Sequence, residues 1–395
     1  FTAPEETWDE SNSKAHWRNR EDPEQPFFSV FNFTGCHESG IASTSKYESV
    51  SKDLTPEQRQ DPDELTTLPP YYPDTKLVRE TVARYYDCVS VMDKEVGDLL
   101  SRLESDGLAD DTIVFFYSEH GSGMPRHKRV LFDSGTHVPL LIRFPEKYRH
   151  LAPCDAGSTT DRLVSFEDFG PTVLSLAGIA ELPSWMRGQP FLGNLAVSPR
   201  QYIHCHRDRV DEIIDMARSI RSGEYLYIRN YMPHRGYHQP SAWVDQGEVM
   251  NDFYAMAQSG TGTTAQAQFI NPMRSREALF DCATDPLNLD NLADSPDHQN
   301  VLAEMREALK VELLASRDLG LVPEIELRRQ TEGSTPLEAS LSGNFDLPRL
   351  LNAAELVGTD DFGSIGKALV DPDPCVRYWG AVACTAAGTL PDGVA

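Results

Sequence analysis

The sequence predicts a mixed α/β domain, then a smaller α+β unit and a short helical tail. Three observations carry this reading. Apolar strand-like runs alternate with amphipathic helical stretches through the first half, as in an α/β sheet with parallel members. Hairpin signatures replace that alternation after about Val210. Short amphipathic helical segments follow one another beyond about Ser340. The expected units are residues 1–210, 211–338 and 339–395, in keeping with roughly 150 residues per domain.

The elements follow in order. "PFFSVFNF" (Pro26 to Phe33) has the aromatic and β-branched content of a buried strand. "TGCHESG" follows as a turn, and the Pro-, Asp- and Thr-rich segment to about Tyr72 reads as a surface excursion. From Lys76 to Leu103 apolar residues recur at spacings of three, four and seven, which predicts a helix stopped by Gly107. "DDTIVFFYS" and "VPLLIRF" read as strands flanking a polar loop. "DRLVSFEDFGPTVLSLAGI" reads as a short strand entering a helix that ends near Gly178. "MARSIRSGEYLYIRNYM" predicts two strands about a Ser222-Gly223 turn, and "HQNVLAEMREALKVELLASRDLG" a strong helix. In the tail, Asp373-Pro374 supplies an N-cap followed by Pro at the first helical position.

Composition narrows the partners. With 61 acidic against 36 basic residues the net charge is −25, which argues against general binding to nucleic acid or anionic membranes. A local pocket can still oppose that sign. No stretch approaches the roughly 20 apolar residues of a membrane span. The seven cysteines are odd in number and contain no CxxC pair, so buried free thiols are expected and the compartment stays open. Oligomeric state is not legible.

The chemistry gathers on two loops that follow strand-like runs, where open α/β sheets place their ligands. Glu119 and His120 stand together just past "TIVFFY"; a carboxylate there suits a hard cation, and an imidazole can ligate or bind an oxyanion. Lys128, nine residues on, is a point charge able to neutralise an anion. Its neighbours Arg126, His127 and Arg129 read as solvated companions. His37, in "GCHESG", could protonate a leaving oxygen or hold an anion. Each residue taken alone has a bland surface or capping role as an alternative.

Together these stretches resemble the sulfatases of the alkaline-phosphatase-like superfamily. "SEHGSGMPRHKRVLFDSGTHVPLLIRFP" resembles their block of Asp-His-Gly or Asp-Asn-Gly, Lys and Val-Pro-Leu between two strands. "PFFSVFNFTGCHESGI" is similar to their strand preceding an active-site His, and "EALFDCATDPLNLDNLAD" to a C-terminal signature. "SFEDFGPTVLSLAGI", "RDRVDE" and "IRNYMPH" look closest to the bacterial branch resembling heparan N-sulfatase (N-sulfoglucosamine sulfohydrolase). The resemblance spans about residues 20 to 335. It implies a mixed sheet sandwiched by helices and hydrolysis of an O- or N-sulfate on a carbohydrate. It also implies a Ca²⁺ ion that polarises the sulfate and a formylglycine nucleophile. By position, Glu119 and His120 would meet the metal. His37 and Lys128 would be catalytic, and Lys128 would also bind sulfate. His137, Arg207 (with Asp208 and Arg209) and His234 would lie on the substrate rim. A periplasmic or secreted parent is expected.

Two departures qualify the resemblance. The family's usual Asp is Glu119, whose extra methylene moves the carboxylate by about 1.5 Å. No Cys/Ser-x-Pro-x-Arg stretch, the source of formylglycine, occurs in the chain. A missing segment before Phe1 would account for this, since "FTAPEETWD" reads as mid-domain sequence, and residues 1–395 alone are expected to be inactive. "DPDPCVRYWGAVACTAAG" resembles half of a HEAT-type repeat, an array expected to continue past Ala395. The competing readings are a phosphodiesterase or phosphonate hydrolase of the same superfamily, and a non-catalytic scaffold derived from a sulfatase.

Overall fold

The computed structural model describes residues 7–388; the opening Phe1–Glu6 and the end of the helical tail lie outside the described residues. The first half is built on α2 (Lys76–Ser105), preceded by α1 (Thr44–Val50). Thr75 caps α2, its hydroxyl accepting from the Val78 N–H at 3.2 Å. Val78, Thr81, Val82 and Cys88 form the buried face that the spacing predicts. Gly107, at φ 70°, closes the helix in the left-handed region. Asp106 beside it accepts from the Trp17 indole at 2.8 Å and from Arg18, tying the N-terminal segment to the helix end.

Strand β1 (Val114–Tyr117) leads through the long polar loop and α3 (Asp133–Thr136) into β2 (Leu140–Arg143). The two pair antiparallel, Val114 opposite Arg143 and Tyr117 opposite Leu140. The sequence predicts a sheet with parallel members, whereas this pair is antiparallel, a parallel return needing a crossover, usually an α-helix, packed across the sheet. Here the intervening loop folds back with a helix of only four residues. The expected strand Pro26 to Phe33 is extended, and exposure alternates along it, yet it has no ladder partner among the described residues. The short strand expected in Asp161 to Ser165 before α4 (Phe169–Leu176) is likewise not formed among the described residues.

The second sheet runs β3 (Ile203–Arg207), β4 (Ala217–Arg221), β5 (Tyr225–Asn230) and β6 (Glu277–Asp281) in that order, all antiparallel. The hairpin predicted at Ser222-Gly223 joins β4 to β5, with Arg221 opposite Leu226. The expected boundary at residue 210 falls between β3 and β4, which are hydrogen-bonded neighbours, so the sheet unit takes in β3. The sheet is buried on both faces, which explains the near-continuous apolar run of β5. Ala217, Leu226, Ile228, Ala278 and Phe280 face a core shared with α2, α5 (Met250–Ser259) and α6 (Thr264–Ile270). Ile220, Tyr227 and Leu279 face the opposite core.

That opposite core takes in α7 (Gln299–Ala315), Leu327 of α8 (Glu324–Gln330), and, beyond α9 (Pro336–Leu341), helices α10 (Leu347–Ala354), α11 (Phe362–Leu369) and α12 (Pro374–Ala387). The tail therefore buries its apolar faces on the sheet unit. Asp373 caps α12 as predicted, accepting from the Cys375 N–H at 2.8 Å. Trp379 fixes the contact: it is 1% exposed, packs against Tyr231, and donates its indole N–H to the Leu321 carbonyl at 2.8 Å. The seven cysteines are free, as expected, although Cys154 is exposed.

Replacing Trp379 removes a large buried ring and leaves a carbonyl unpaired. Trp379→Ala is expected to cost about 3–5 kcal/mol of stability in denaturant unfolding. A loss below about 1 kcal/mol would mean that the tail packs independently of the sheet.

Candidate functional site

The loop after β1 and the loop around His37 are pressed together. A Cβ on Gly123 would sit 2.3 Å from the Glu38 Cβ, and one on Gly121 would sit 1.9 Å from the Ser134 carbonyl oxygen. Glycine at both positions lets the two backbones approach this closely. Beside them opens a cleft with a cavity of about 80 Å³, lined in part by Glu38, Lys46, Arg126, Lys128, Arg129 and Arg207.

Glu38 is the hub. Lys128 donates to its Oε1 at 2.8 Å, Arg129 grips both oxygens at 2.8 and 3.0 Å, and Trp243 Nε1–H donates to Oε1 at 2.7 Å. Burial alone would raise this carboxyl, but the bonds from Arg129, Lys128 and Trp243 outweigh it and hold the pKa at about 2. Arg129 also reaches Asp211 at 3.0 Å. Lys128 thus stands in a charge network.

His37 neighbours that network, with Nε2 4.0 Å from Glu38 Oε1. Its Nδ1 accepts from the Ser39 N–H at 3.3 Å and meets the Ser39 hydroxyl at 2.9 Å, which leaves Nε2 to carry the proton outward. Burial, then the Lys128 ammonium, push its pKa down; Glu38 and Glu119 pull the other way. His37 and Lys128 thus meet at Glu38 Oε1, at 4.0 and 2.8 Å, while Glu119 and His120 pair with each other. His120 Nδ1 lies 2.6 Å from the Gly121 carbonyl, and its Nε2 lies 3.2 Å from Glu119 Oε1.

This pair does not by itself make a Ca²⁺ site. Calcium takes six to eight oxygens, whereas Glu119, 75% exposed, brings one carboxylate. Among the described residues no group of three or more His, Cys, Asp or Glu is placed to hold a metal.

The other rim candidates separate. Arg207 lines the cleft, but His137 and His234 do not. Asp208 is committed to the buried Arg218 at 3.0 Å, and Arg209 faces Glu324 at 3.5 Å. Arg126 is buried and His127 and Arg129 are half-buried, which corrects the expectation of solvated neighbours. His127 Nε2 meets the hydroxyls of Tyr71 and Tyr72 at 2.9 and 3.1 Å, and its Nδ1 the Ser122 hydroxyl at 2.6 Å. Sequence reasoning missed Glu38, Arg126 and Trp243. Glu38 had a signal, as a carboxylate adjoining His37 on a candidate loop.

Burial, then the Arg126 charge, push His127 down to about 4. The unfolded imidazole takes up a proton near its ordinary value of about 6.5, and the folded one only near 4. Stability from neutral His127 is therefore complete above about 6.5 and lost as pH falls towards 4. His204, pushed down to about 4 by burial, shares that window. Glu38 adds a loss at lower pH, between 4.5 and about 2. His127→Gln is expected to flatten the fall in unfolding free energy between pH 7 and 4.5, leaving the His204 part. Identical slopes for variant and wild type would contradict a neutral buried His127.

Residues 5–179 match the sulfatase family model, and residues 119–259 match the model of the N-sulphoglucosamine sulphohydrolase C-terminal region. An ulvan-active sulfatase of Formosa agariphila is 39% identical over 354 residues, covering 83% of this chain and 58% of that protein. The human N-sulphoglucosamine sulphohydrolase is 27% identical over 272 residues, covering 65% of this chain and 52% of the relative. The chain thus spans little more than half the length of these relatives. A Bacteroides thetaiotaomicron protein crystallised as a candidate sulfatase aligns at 21% identity with a TM-score of 0.47, covering 63% of this chain and 46% of that one. Through the two family models and the long alignment to the Formosa protein, the chain belongs to the sulfatase family.

Proposed function

We propose that the protein to which this chain belongs hydrolyses sulfate esters or sulfamates on a carbohydrate. The observation that supports this best is the meeting of His37 and Lys128 on Glu38, beside a cation-lined cleft on a chain of net charge −25. Local positive charge against that background favours a small anionic ligand over an extended polyanion surface. The relatives' names, an ulvan-active sulfatase and an N-sulphoglucosamine sulphohydrolase, point to a sulfated sugar.

In this reading Lys128 exchanges part of its bond to Glu38 for a sulfate oxygen. Glu38 keeps Arg129 and Trp243, so the exchange leaves no buried carboxylate unpaired. His37 presents Nε2–H outward, and its lowered pKa makes the protonated ring a better donor to the leaving oxygen. Glu119 would give one carboxylate to Ca²⁺, with further oxygen donors required; the ion, when bound, would polarise the sulfate. No residue of this chain is assigned as nucleophile.

The test is sulfate release from sulfated oligosaccharides by the full-length protein. Lys128→Ala and His37→Ala are each expected to lower kcat/KM by about 100-fold. Absence of sulfate release from every sulfated saccharide tried, or full activity in both variants, would overturn the proposal.

A further inference from the structure

Two guanidiniums in the cleft wall lack the partners that buried charges require. Arg126 is 1% exposed. Its Nε and Nη2 donate to Gln268 Oε1 at 3.1 and 2.9 Å, and Nη2 also donates to the Asn288 carbonyl at 2.7 Å. These acceptors are neutral. The group is sandwiched by the rings of Tyr71 and Phe132, at 4.3 and 4.0 Å from the guanidinium carbon. Its Nη1 is buried without any hydrogen-bond partner.

The Arg207 side chain is 5% exposed, and both Nε and Nη1 are buried without a hydrogen bond. Asp215 lies 3.2 Å from Nε, but not in a direction that accepts from it. The Asp215 oxygens are already taken by Arg274 and by the Met216 N–H at 2.8 Å. Two buried arginines therefore share one carboxylate. A buried cation that shares its carboxylate is costly to hold, and burial pushes Arg207 down to about 10 against the pull of Asp215. Both Arg126 and Arg207 line the cleft that also holds Lys128. Among its charged lining residues, Lys46, Arg126, Lys128, Arg129 and Arg207 stand against Glu38.

We infer that Arg126 and Arg207 form a second oxyanion subsite in the buried wall of this cleft, taking a carboxylate or further sulfate of a polyanionic sugar. Planar guanidinium groups with free N–H bonds suit such oxygens. The inference rests on the sulfated-sugar reading above, and it adds that the ligand carries a second negative group.

The experiment is isothermal titration of the full-length protein with two ligands: a sulfated disaccharide containing a uronic acid, and the same compound with its carboxyl reduced to an alcohol. Wild type is expected to bind the acid form about tenfold more tightly. Arg126→Met and Arg207→Met should bind both forms equally, and the charge-keeping Arg126→Lys and Arg207→Lys should restore part of the preference. Lys128→Ala should weaken both forms alike and keep the ratio, so failure of the sulfate site reads separately from failure of the subsite. Equal binding of both forms by wild type, or an unchanged ratio in the methionine variants, would overturn the inference. So would stabilisation by inorganic sulfate alone, without discrimination between the sugars.

Discussion

The Glu38 carboxylate is the constraint on which the site depends. It joins three segments far apart in sequence: its own loop, the Lys128–Arg129 loop and the stretch bearing Trp243. Each partner donates to a charged acceptor, the stronger class of hydrogen bond. Without this carboxylate Lys128 and Arg129 would repel each other in a half-buried place. Gly123 completes the arrangement, since no larger residue lets the two loops close around Glu38. The positions of His37 and Lys128 are therefore consequences of a structural ion network, and chemistry at this place uses residues already held by it.

The doubly covered sheet provides the rigid frame behind that network. β3 delivers Arg207 to the cleft, and the core face shared with α2 supports Phe132 and Tyr237 beneath it. The opposite face is sealed by α7 and the tail helices. A cleft wall backed by a layer buried on both sides can hold unsatisfied cations in place, because their retreat towards solvent would disturb close-packed side chains.

The sequence made some of this legible and concealed the rest for identifiable reasons. Helix α2, the β4–β5 hairpin, α7 and the Asp373 cap followed from periodicity and turn chemistry, which act over a few residues. The antiparallel return of β2 and the unpaired state of Pro26 to Phe33 depend on which segments meet, and an apolar run does not encode its partner. His37, Glu119, His120 and Lys128 were found because they sit on loops after strand-like runs. Arg126 looked like a surface cation because its burial comes from Tyr71, Phe132, Gln268 and Asn288, distributed over the chain.

The run Arg126 to Arg129 makes the same point at the level of backbone geometry. Four consecutive cationic or imidazole side chains would ordinarily crowd one solvated patch. Arg126 and Arg129 instead adopt left-handed backbone, at φ 65° and 73°. Each such turn costs a non-glycine residue about 1 kcal/mol or more, and each redirects the chain. Arg126 enters the aromatic sandwich, His127 turns to the two tyrosine hydroxyls, and Lys128 and Arg129 converge on Glu38. The strain is offset by the charged hydrogen bonds that these directions allow. A loop sequence dense in positive charge is thereby divided between a carboxylate already paired and a guanidinium still unpaired, and that division equips one cleft to meet an anion at two places.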